Sequence, residues 1–269
     1  MGILLNEQFR LAILLTWLFI LCGLEFVVPL VKSTRETIFN SIPNLVLTVL
    51  LLLTNFVLAV AFNNLIGWTS QSGFGLFNWL GVSDWRLELI FGIVFLDLIA
   101  TYLPHVLFHK ISWLWRLHSV HHSDKMIDVT TAFRQHPVET LFRVSFYMGG
   151  MILLGLPLWI GLVCASFSAF NAQLEHSNIK ISPKIERFAQ LVFVTPNMHK
   201  IHHSKYQVET DSNYANIFSF RDRIFGTFTA TKQTGKIEYG LDYLKDGNHS
   251  LRDLLFKLLF EAIDEHSTL

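Results

Sequence analysis

Four apolar stretches, each about as long as a lipid bilayer is thick, constrain the fold of this chain more than any other feature. They cover residues 9–31, 42–66, 87–108 and 144–170. About 20 consecutive apolar residues are enough for a helix to cross a membrane, so the first three stretches predict transmembrane helices. The fourth has Gly155 and Pro157 at its centre. Its two short halves predict a helical hairpin that enters and leaves the membrane on one side.

The composition supports a membrane protein. Of 269 residues, 51% are hydrophobic and 16% are charged, whereas a soluble domain carries about 25% charged residues. The mean hydropathy is +0.41, and the surplus apolar surface is expected to face lipid. A net charge of zero argues against the basic surface that nucleic-acid binding requires. Cys22 and Cys164 both lie in apolar stretches and predict no disulfide.

Basic residues predict the orientation of the chain. Lys and Arg follow the first stretch, the third stretch and the hairpin, whereas residues 67–86 contain a single basic residue, Arg86. Because Lys and Arg are enriched in cytoplasmic loops, residues 110–143 and those from 176 onward are predicted to form a cytoplasmic cap. The first stretch is too long for a signal-peptide core and predicts a retained helix.

We therefore predict an all-α integral membrane protein with three transmembrane helices, a membrane helical hairpin and a cytoplasmic, histidine-rich helical cap. Its predicted parts are an N-terminal membrane region at residues 1–86, a catalytic domain at 87–232 and a tail at 233–269. Residues 251–263 have apolar side chains at helical spacing. This segment either lies along the membrane surface or packs against the cap.

Histidine is concentrated in a few short motifs. His-x-x-His-His occurs twice, which is not expected by chance in a chain with 12 histidines. A His-x3-His pair ends the third stretch, and a further His follows the hairpin. Residues three and four positions apart share one face of a helix, so each motif can direct its imidazoles to a common space. The nine residues are His105, His109, His118, His121, His122, His176, His199, His202 and His203.

These nine histidines predict a dinuclear metal site in the cap. Neutral imidazole is the commonest metal ligand and suits iron, zinc, copper and nickel. One ion rarely takes more than about four protein nitrogens, so nine are expected to hold two ions and to leave positions open. Open positions bind water, oxygen or substrate and therefore indicate catalysis. We treat all nine as candidate metal ligands and catalytic residues.

Two other classes of metal protein fit less well. A transporter would place its ligands near the middle of the membrane, commonly with carboxylates, whereas these histidines lie at membrane ends among Lys and Arg. Metal transport is therefore a remote alternative. A zinc hydrolase would use a general-base Glu, as in His-Glu-x-x-His, and the sequence lacks that motif.

The order His-x3-His, His-x2-His-His, His-x2-His-His beside membrane hairpins resembles the fatty acid hydroxylase and sterol desaturase superfamily. The similarity covers residues 87–228. The segment "TPNMHKIHHSKYQVETDSNYANIFSFRDRIFGTF" is most similar to the alkylglycerol monooxygenase branch and its bacterial relatives. Ala215 and Arg221 stand where that branch tends to have Gly and Trp. "RQHPVE", at residues 134–139, instead resembles sterol-modifying members, so the resemblance leaves the type of lipid open.

The resemblance implies a membrane oxygenase with two histidine-bound iron ions that uses O2 on a lipid C–H bond. The expected activity is hydroxylation of a sterol, fatty acyl or alkylglycerol-type lipid, and a desaturase on the same di-iron centre is the alternative. The sequence has no haem-binding His-Pro-Gly-Gly segment and no dinucleotide-binding glycine pattern. Electrons are therefore expected from a separate donor protein or a soluble reductant. A bacterial cell membrane is favoured over the endoplasmic reticulum.

Several polar residues near the motifs have more than one interpretation. His136 is a ligand, a hydrogen-bond donor behind the ligands, or a residue that starts a helix, because Pro137 follows it. Asp97 and Glu25 lie inside apolar stretches and either serve the site or join helices. Arg134 and Glu139 are expected to orient neighbouring residues rather than to bind metal. Asp211 and Asn213 follow the last triplet and either orient it or shape a turn.

Overall fold

A computed structural model describes residues 7–32, 35–230, 237–243 and 250–257. The regular secondary structure in these ranges is helical, joined by turns and loops, and the only β pairing among the described residues is three isolated bridges. The all-α prediction is therefore confirmed. The helices are α1 (Glu7–Val27), α2 (Arg35–Ser72), α3 (Leu76–Trp79), α4 (Trp85–Leu96), α5 (Leu103–Lys110), α6 (Ser112–His122), α7 (Pro137–Leu154), α8 (Leu158–His176), α9 (Pro183–Ala189), α10 (Pro196–His202), α11 (Gln207–Thr210) and α12 (Phe220–Ile224).

Three helical segments are long and apolar enough to cross a membrane. They are Gln8–Val27 in α1, Ser41–Leu58 in α2, and Trp85–Lys110, which runs through α4 and α5. Large apolar side chains on these helices face outward, including Phe19 and Phe26, which are 73% and 89% exposed. A water-facing helix does not present such a surface. The three predicted apolar helices are thus present and indicate a membrane protein.

A π-helical turn at Asp97–Tyr102 connects α4 to α5. It directly precedes Pro104, which occupies the first turn of α5. Proline has no N–H to donate and its ring crowds the carbonyl four residues earlier, so a widened turn lets the helix continue past it. The same span therefore carries both the apolar surface of α4 and the histidines of α5.

The fourth apolar stretch forms two helices, α7 and α8, that are separated at the predicted break. Gly155 ends α7 in the left-handed conformation, with φ of 74°, and Pro157 precedes α8. A side chain at Gly155 would also collide with the carbonyl oxygen of Phe74, 2.8 Å from the ideal Cβ position. Glycine is therefore required here for conformation and for space. The membrane placement of this helix pair, and the side that it faces, remain proposals.

The polar segments pack as short helices around the ends of α5 and α8. Tyr102 from the third span packs against Met198 of α10 and against Tyr214 in the loop before α12. Leu254 packs against Leu47 and Val120, so the described part of the predicted tail helix contacts the body of the protein. Its remainder, from residue 258 onward, lies outside the described residues.

Candidate metal centre

All nine predicted histidines come together in one buried cluster. None of the nine is more than 7% exposed. Helix α5 contributes His105 and His109, and α8 contributes His176 from its last turn. The two triplets lie on α6 and at the end of α10. The loops and the α7–α8 pair thus bring four separate segments to one place.

The cluster divides into two groups that can each hold a metal ion. Within each group, one ligand nitrogen per residue lies within 4.8 Å of the others. The five-histidine group comprises His105, His109, His118, His122 and His202, and the four-histidine group comprises His121, His176, His199 and His203. Two groups of this size agree with the predicted dinuclear site.

Each His-x-x-His-His motif contributes to both groups. From α6, His118 and His122 join the five-histidine group, while His121 joins the other. From α10, His199 and His203 join the four-histidine group, while His202 joins the other. The first and last histidines of the motif are four positions apart and differ in direction by about 40° around the helix. The middle histidine points about 60° from the first, in the opposite sense. The spacing therefore allows two imidazoles of a motif to face one ion while the third faces its neighbour, and tertiary packing decides which ion each one meets.

The nitrogen positions fit an ion in the four-histidine group. The Nε2 atom of His176 lies 3.0 Å from Nε2 of His121 and of His199, and 3.1 Å from Nε2 of His203. Two nitrogens that bind one ion at about 2.1 Å and at right angles are separated by about 3.0 Å. Neutral nitrogen pairs at this distance are hard to explain without a shared proton or a shared ion, so the donor set fits a metal.

Six of the nine imidazoles have their Nδ1 atoms paired with an oxygen atom that lies behind the cluster. His118 faces Glu139 Oε1 at 2.9 Å, and His109 faces Asp211 Oδ1 at 3.3 Å. The other four Nδ1 atoms donate to backbone carbonyls, namely those of Tyr214, Arg134, Ala172 and Ser212. A proton on Nδ1 leaves the lone pair on Nε2, where a metal binds. These acceptors therefore set both the tautomer and the orientation of the rings.

Several imidazole nitrogens are buried without any hydrogen-bond partner among the described residues. They are Nε2 of His109 and of His202, Nδ1 of His199 and of His203, and both ring nitrogens of His122. A buried polar atom without a partner is uncommon in a folded protein and calls for an ion or a water molecule. At His109, His122 and His202 the unpaired Nε2 atoms belong to one group, which is what an ion at that position requires.

Burial also favours the neutral form of the cap histidines. It lowers the pKa of each imidazole in the two triplets below the usual value of 6.5, and the neighbouring imidazoles lower it further. Neutral imidazole is the form that binds metals. These side chains are therefore available as ligands at neutral pH.

A cavity of about 890 Å³ opens beside the cluster. His105 from the five-histidine group lines it, together with His121, His176 and His199 from the other. Its remaining walls come mainly from α2, α7 and α8. Small-molecule sites typically measure about 300–1,000 Å³, so the cavity has room for a sizeable ligand in contact with both groups.

Comparison with known proteins agrees with this geometry. Residues 89–227, just over half of the chain, match the model of the fatty acid hydroxylase family. The chain belongs to the fatty acid hydroxylase family. The matched residues include all nine histidines, so the predicted resemblance to this superfamily is confirmed.

Curated relatives of this fatty acid hydroxylase family member act on lipids, according to their names. It is 30% identical over 57% of its length to the ornithine lipid hydroxylase of Rhizobium tropici, and 30% identical over 60% to the alkylglycerol monooxygenase of Xenopus tropicalis. It is 28% identical over 58% to methylsterol monooxygenase 2-2 of Arabidopsis thaliana. The alignments cover only 45%, 34% and 57% of those relatives. No solved structure matches the chain.

Three of the predicted supporting residues of this fatty acid hydroxylase family member orient histidines. Glu139 accepts from His118, and the carbonyl of Arg134 accepts from His121. Asp211 accepts from His109 and Lys110. Asn213 makes no hydrogen bond to any of the nine clustered histidines. It adopts φ of 54° and bonds the backbone of residues 198 and 229, so it shapes the turn.

Three other candidates lie away from the histidines. His136 starts α7, where its Nδ1 accepts from the Val138 amide, so the ligand reading was wrong and the helix-start reading was right. Asp97 makes no hydrogen bond to any of the nine clustered histidines and instead pairs with Arg221. Glu25 accepts from the amides of Val129 and Asn178, so it joins α1 to the cap.

Sequence reasoning missed some functional groups of this site. The carbonyl acceptors at Ala172, Ser212 and Tyr214 carry no side-chain signal and emerge only from the folded backbone. Glu175 did leave a signal, because a carboxyl in an apolar helix directly before a histidine is unusual. It is 4% exposed, lines the cavity and lies 3.8 Å from Nε2 of His199.

Proposed function

We propose that this protein is an iron- and oxygen-dependent membrane lipid hydroxylase. One observation carries the proposal: two buried histidine groups, each suited to a metal ion, border one cavity that is lined mainly by apolar residues of membrane-type helices. An apolar ligand can reach such a cavity from lipid, whereas a polar substrate would have to leave water. The names of the curated relatives support a hydroxylase or monooxygenase.

The residues of the chain have separable roles in this proposal. The five- and four-histidine groups hold two iron ions, which when bound supply the activation of O2 that attack on an aliphatic C–H bond requires. Glu139, Asp211 and the carbonyl acceptors keep each ring in the tautomer that binds metal. The cavity excludes bulk water and holds one carbon of the lipid near His105 and His176.

We further propose that the histidine cluster faces the cytoplasm of a bacterial cell, with the α7–α8 pair as a hairpin that returns to the side it left. Both outer ends of that pair reach the cluster, because Glu139 near the start of α7 contacts His118 and His176 ends α8. Electrons then come from a cytoplasmic donor protein or a soluble reductant, which has access to this face.

A desaturase is the second candidate, because the same ligand set serves both reactions. The two differ in whether oxygen is transferred to the lipid or both of its atoms leave as water. The names of the relatives favour oxygen transfer.

Growth of cells that express the protein under ¹⁸O-labelled oxygen gas tests the proposal. Lipid extracts are compared by mass spectrometry with extracts from cells that express His121→Ala or His202→Ala, one variant for each histidine group. A lipid that carries one labelled oxygen only with the native protein is the expected product. An unlabelled lipid that has lost two hydrogens would instead identify a desaturase. No oxygen-dependent lipid in any strain would reject both functions.

A further inference from the structure

The walls of the cavity differ between its two ends. At the histidine end, polar side chains line it, including Gln135, Arg143 and Glu175. At the other end, near the turn between α7 and α8, the lining is apolar and includes Met151, Leu158 and Val60. A ligand that satisfies both ends has a polar head and an apolar body, and its head lies beside the histidines.

One wall of the cavity is a row of small residues on α8. Gly161, Ala165, Ser168 and Ala172 follow one another at helical spacing and lead to His176. Their short side chains leave an open path along the helix. The path is closed near Gly161 by Met151, whose Sδ atom lies 2.4 Å from where a Cβ on that glycine would stand. Beyond the histidine end of the path, His199 is buried with an unpaired Nδ1.

The length of this row sets the length of the hydrocarbon chain that can lie along it. Fifteen residues separate Gly161 from His176, which at 1.5 Å per residue is about 22 Å. A carbon chain with tetrahedral geometry advances by about 1.25 Å per carbon, so about 18 carbons fit this distance when extended. A compact ring system would leave much of the row without contact.

The apolar end of the cavity reaches the outer surface of the membrane-type helices. Phe56 and Val60 of α2 line the cavity and are nonetheless 69% and 62% exposed. Phe56 lies within the candidate span Ser41–Leu58. On the opposite wall, Leu158 of α8 is also exposed. A hydrocarbon chain can therefore enter sideways between α2 and α8 directly from lipid, while Met151 closes the end of the path near Gly161.

We propose that the substrate is a lipid with a straight chain that lies along α8, with its head at the histidines and its end at Met151. This proposal rests on the proposed function and specifies it: the carbon presented to the metal centre is close to the head group. The small residues Ala165 and Gly161 make room for a long chain, and Met151 limits its length. Reaction in the middle or at the end of the chain is excluded by this orientation.

Photo-crosslinking in lipid nanodiscs tests the orientation without turnover. The probe is an alkylglycerol of about 18 carbons with a diazirine either next to the head or next to the chain end. Peptide mass spectrometry then locates the attachment. The chain-end probe is expected to label Met151 or Leu158, and the head-end probe to label residues near Ala172. The reverse pattern, or equal labelling of the exposed outer residue Phe167 by both probes, would overturn the proposal.

Ala165→Phe tests the length limit, because its ring blocks the row about 16 Å from His176. The chain-end label of the long probe at Met151 should fall about fivefold or more, the factor expected for overpacking a filled site. Labelling near Ala172 by the head-end form of a probe of about 12 carbons should persist, because that chain ends before the block. Ala165→Leu provides a smaller step if the Phe variant does not fold.

Leu153→Phe is the matched control, because Leu153 is 56% exposed on α7 and does not line the cavity. It should leave both labels unchanged. Identical label profiles for the native protein and the Ala165 variants would overturn the length limit. In a competition experiment, loss of the labels with added sterol but not with added straight-chain alcohol would overturn the substrate class. These readouts do not need a labelled-oxygen product, so they separate failure of this inference from failure of the proposed function.

Discussion

Asp97 Oδ2 accepts a hydrogen bond of 2.7 Å from Nε of Arg221, a residue 124 positions later in the chain. Both side chains are almost completely buried. Asp97 also accepts from the backbone amides of Ile217 and Phe218. The preceding loop carries Tyr214, whose carbonyl orients His105. The ion pair therefore fastens the loop behind the metal centre to the third span.

Removal of either partner should destabilise the protein. A buried ion pair that loses one member costs about 3–5 kcal/mol. Arg221→Met leaves Asp97 with the Thr101 hydroxyl and two backbone amides as donors. Asp97→Ala removes the acceptor of both amides and leaves the buried guanidinium without its carboxylate, with only the Val94 carbonyl as acceptor. We expect Asp97→Ala to lower the Tm more, by on the order of 10 °C.

Thermal unfolding in detergent, followed by intrinsic fluorescence, measures this difference. Arg223→Met is the control, because Arg223 is on the same short helix and is exposed. Equal Tm values for Asp97→Ala and the control would show that the pair contributes no net stability.

Glu139→Gln should weaken metal binding while the fold is kept. The change removes the anionic acceptor of His118 Nδ1 and the ion pair with Arg143. Loss of such an acceptor behind a metal ligand typically costs about 10- to 100-fold in metal affinity or activity. Competition with a chelator of known affinity measures the loss. Glu88→Gln, far from the cluster on α4, should match the native protein, and equal affinities of all three proteins would contradict the role of Glu139.

Metal content should report the two histidine groups separately. Native protein should contain about two equivalents of metal, and His122→Ala or His203→Ala should each retain about one, because each removes a ligand from a different group. Elemental analysis after gentle purification supplies the counts. His136→Ala should keep both metals, because His136 lies outside the groups. It should lose only the hydrogen bond that caps the start of α7, which lowers the free energy of unfolding by about 0.5–2 kcal/mol. Two equivalents in every variant would remove these histidines from the ligand set.

Cysteine labelling should find the cap and the loop after α2 on opposite sides of the membrane. Ser123 and Ser204 follow the two triplets but are buried, so they are unsuitable reporters. Lys184 on α9 and Ser72 at the end of α2 are exposed. In intact cells an impermeant reagent should label Ser72→Cys but not Lys184→Cys, in a background where Cys22 is replaced. Labelling of Lys184→Cys in intact cells would reverse the proposed orientation.

Periodicity and spacing predicted the helices and the histidines because both depend on local geometry. The apolar stretches have the length of a membrane span, and the break at Gly155 and Pro157 follows from backbone conformation alone. The nine histidines were recognisable because imidazoles at helical spacing share a face.

The division of neighbouring residues between the two groups was not predictable in the same way. His121 and His122 are adjacent in sequence but serve different groups. Their assignment depends on where the imidazoles from α10 lie relative to those from α6, and that is decided by tertiary packing. For the same reason the partner of Asp97 was not predictable. The sequence shows that a carboxylate lies in an apolar stretch and needs a partner, but it does not show that the partner is Arg221.

The distribution of the two groups along the chain implies an order of assembly during synthesis. Four members of the five-histidine group precede α7, and only His202 follows it. In the four-histidine group only His121 precedes α7, and the other three are made later. A nascent chain synthesised as far as the end of α7 therefore already carries four of the five histidines of one group and one histidine of the other. The five-histidine group should acquire its ion first, and the second ion should wait until α10 has left the ribosome.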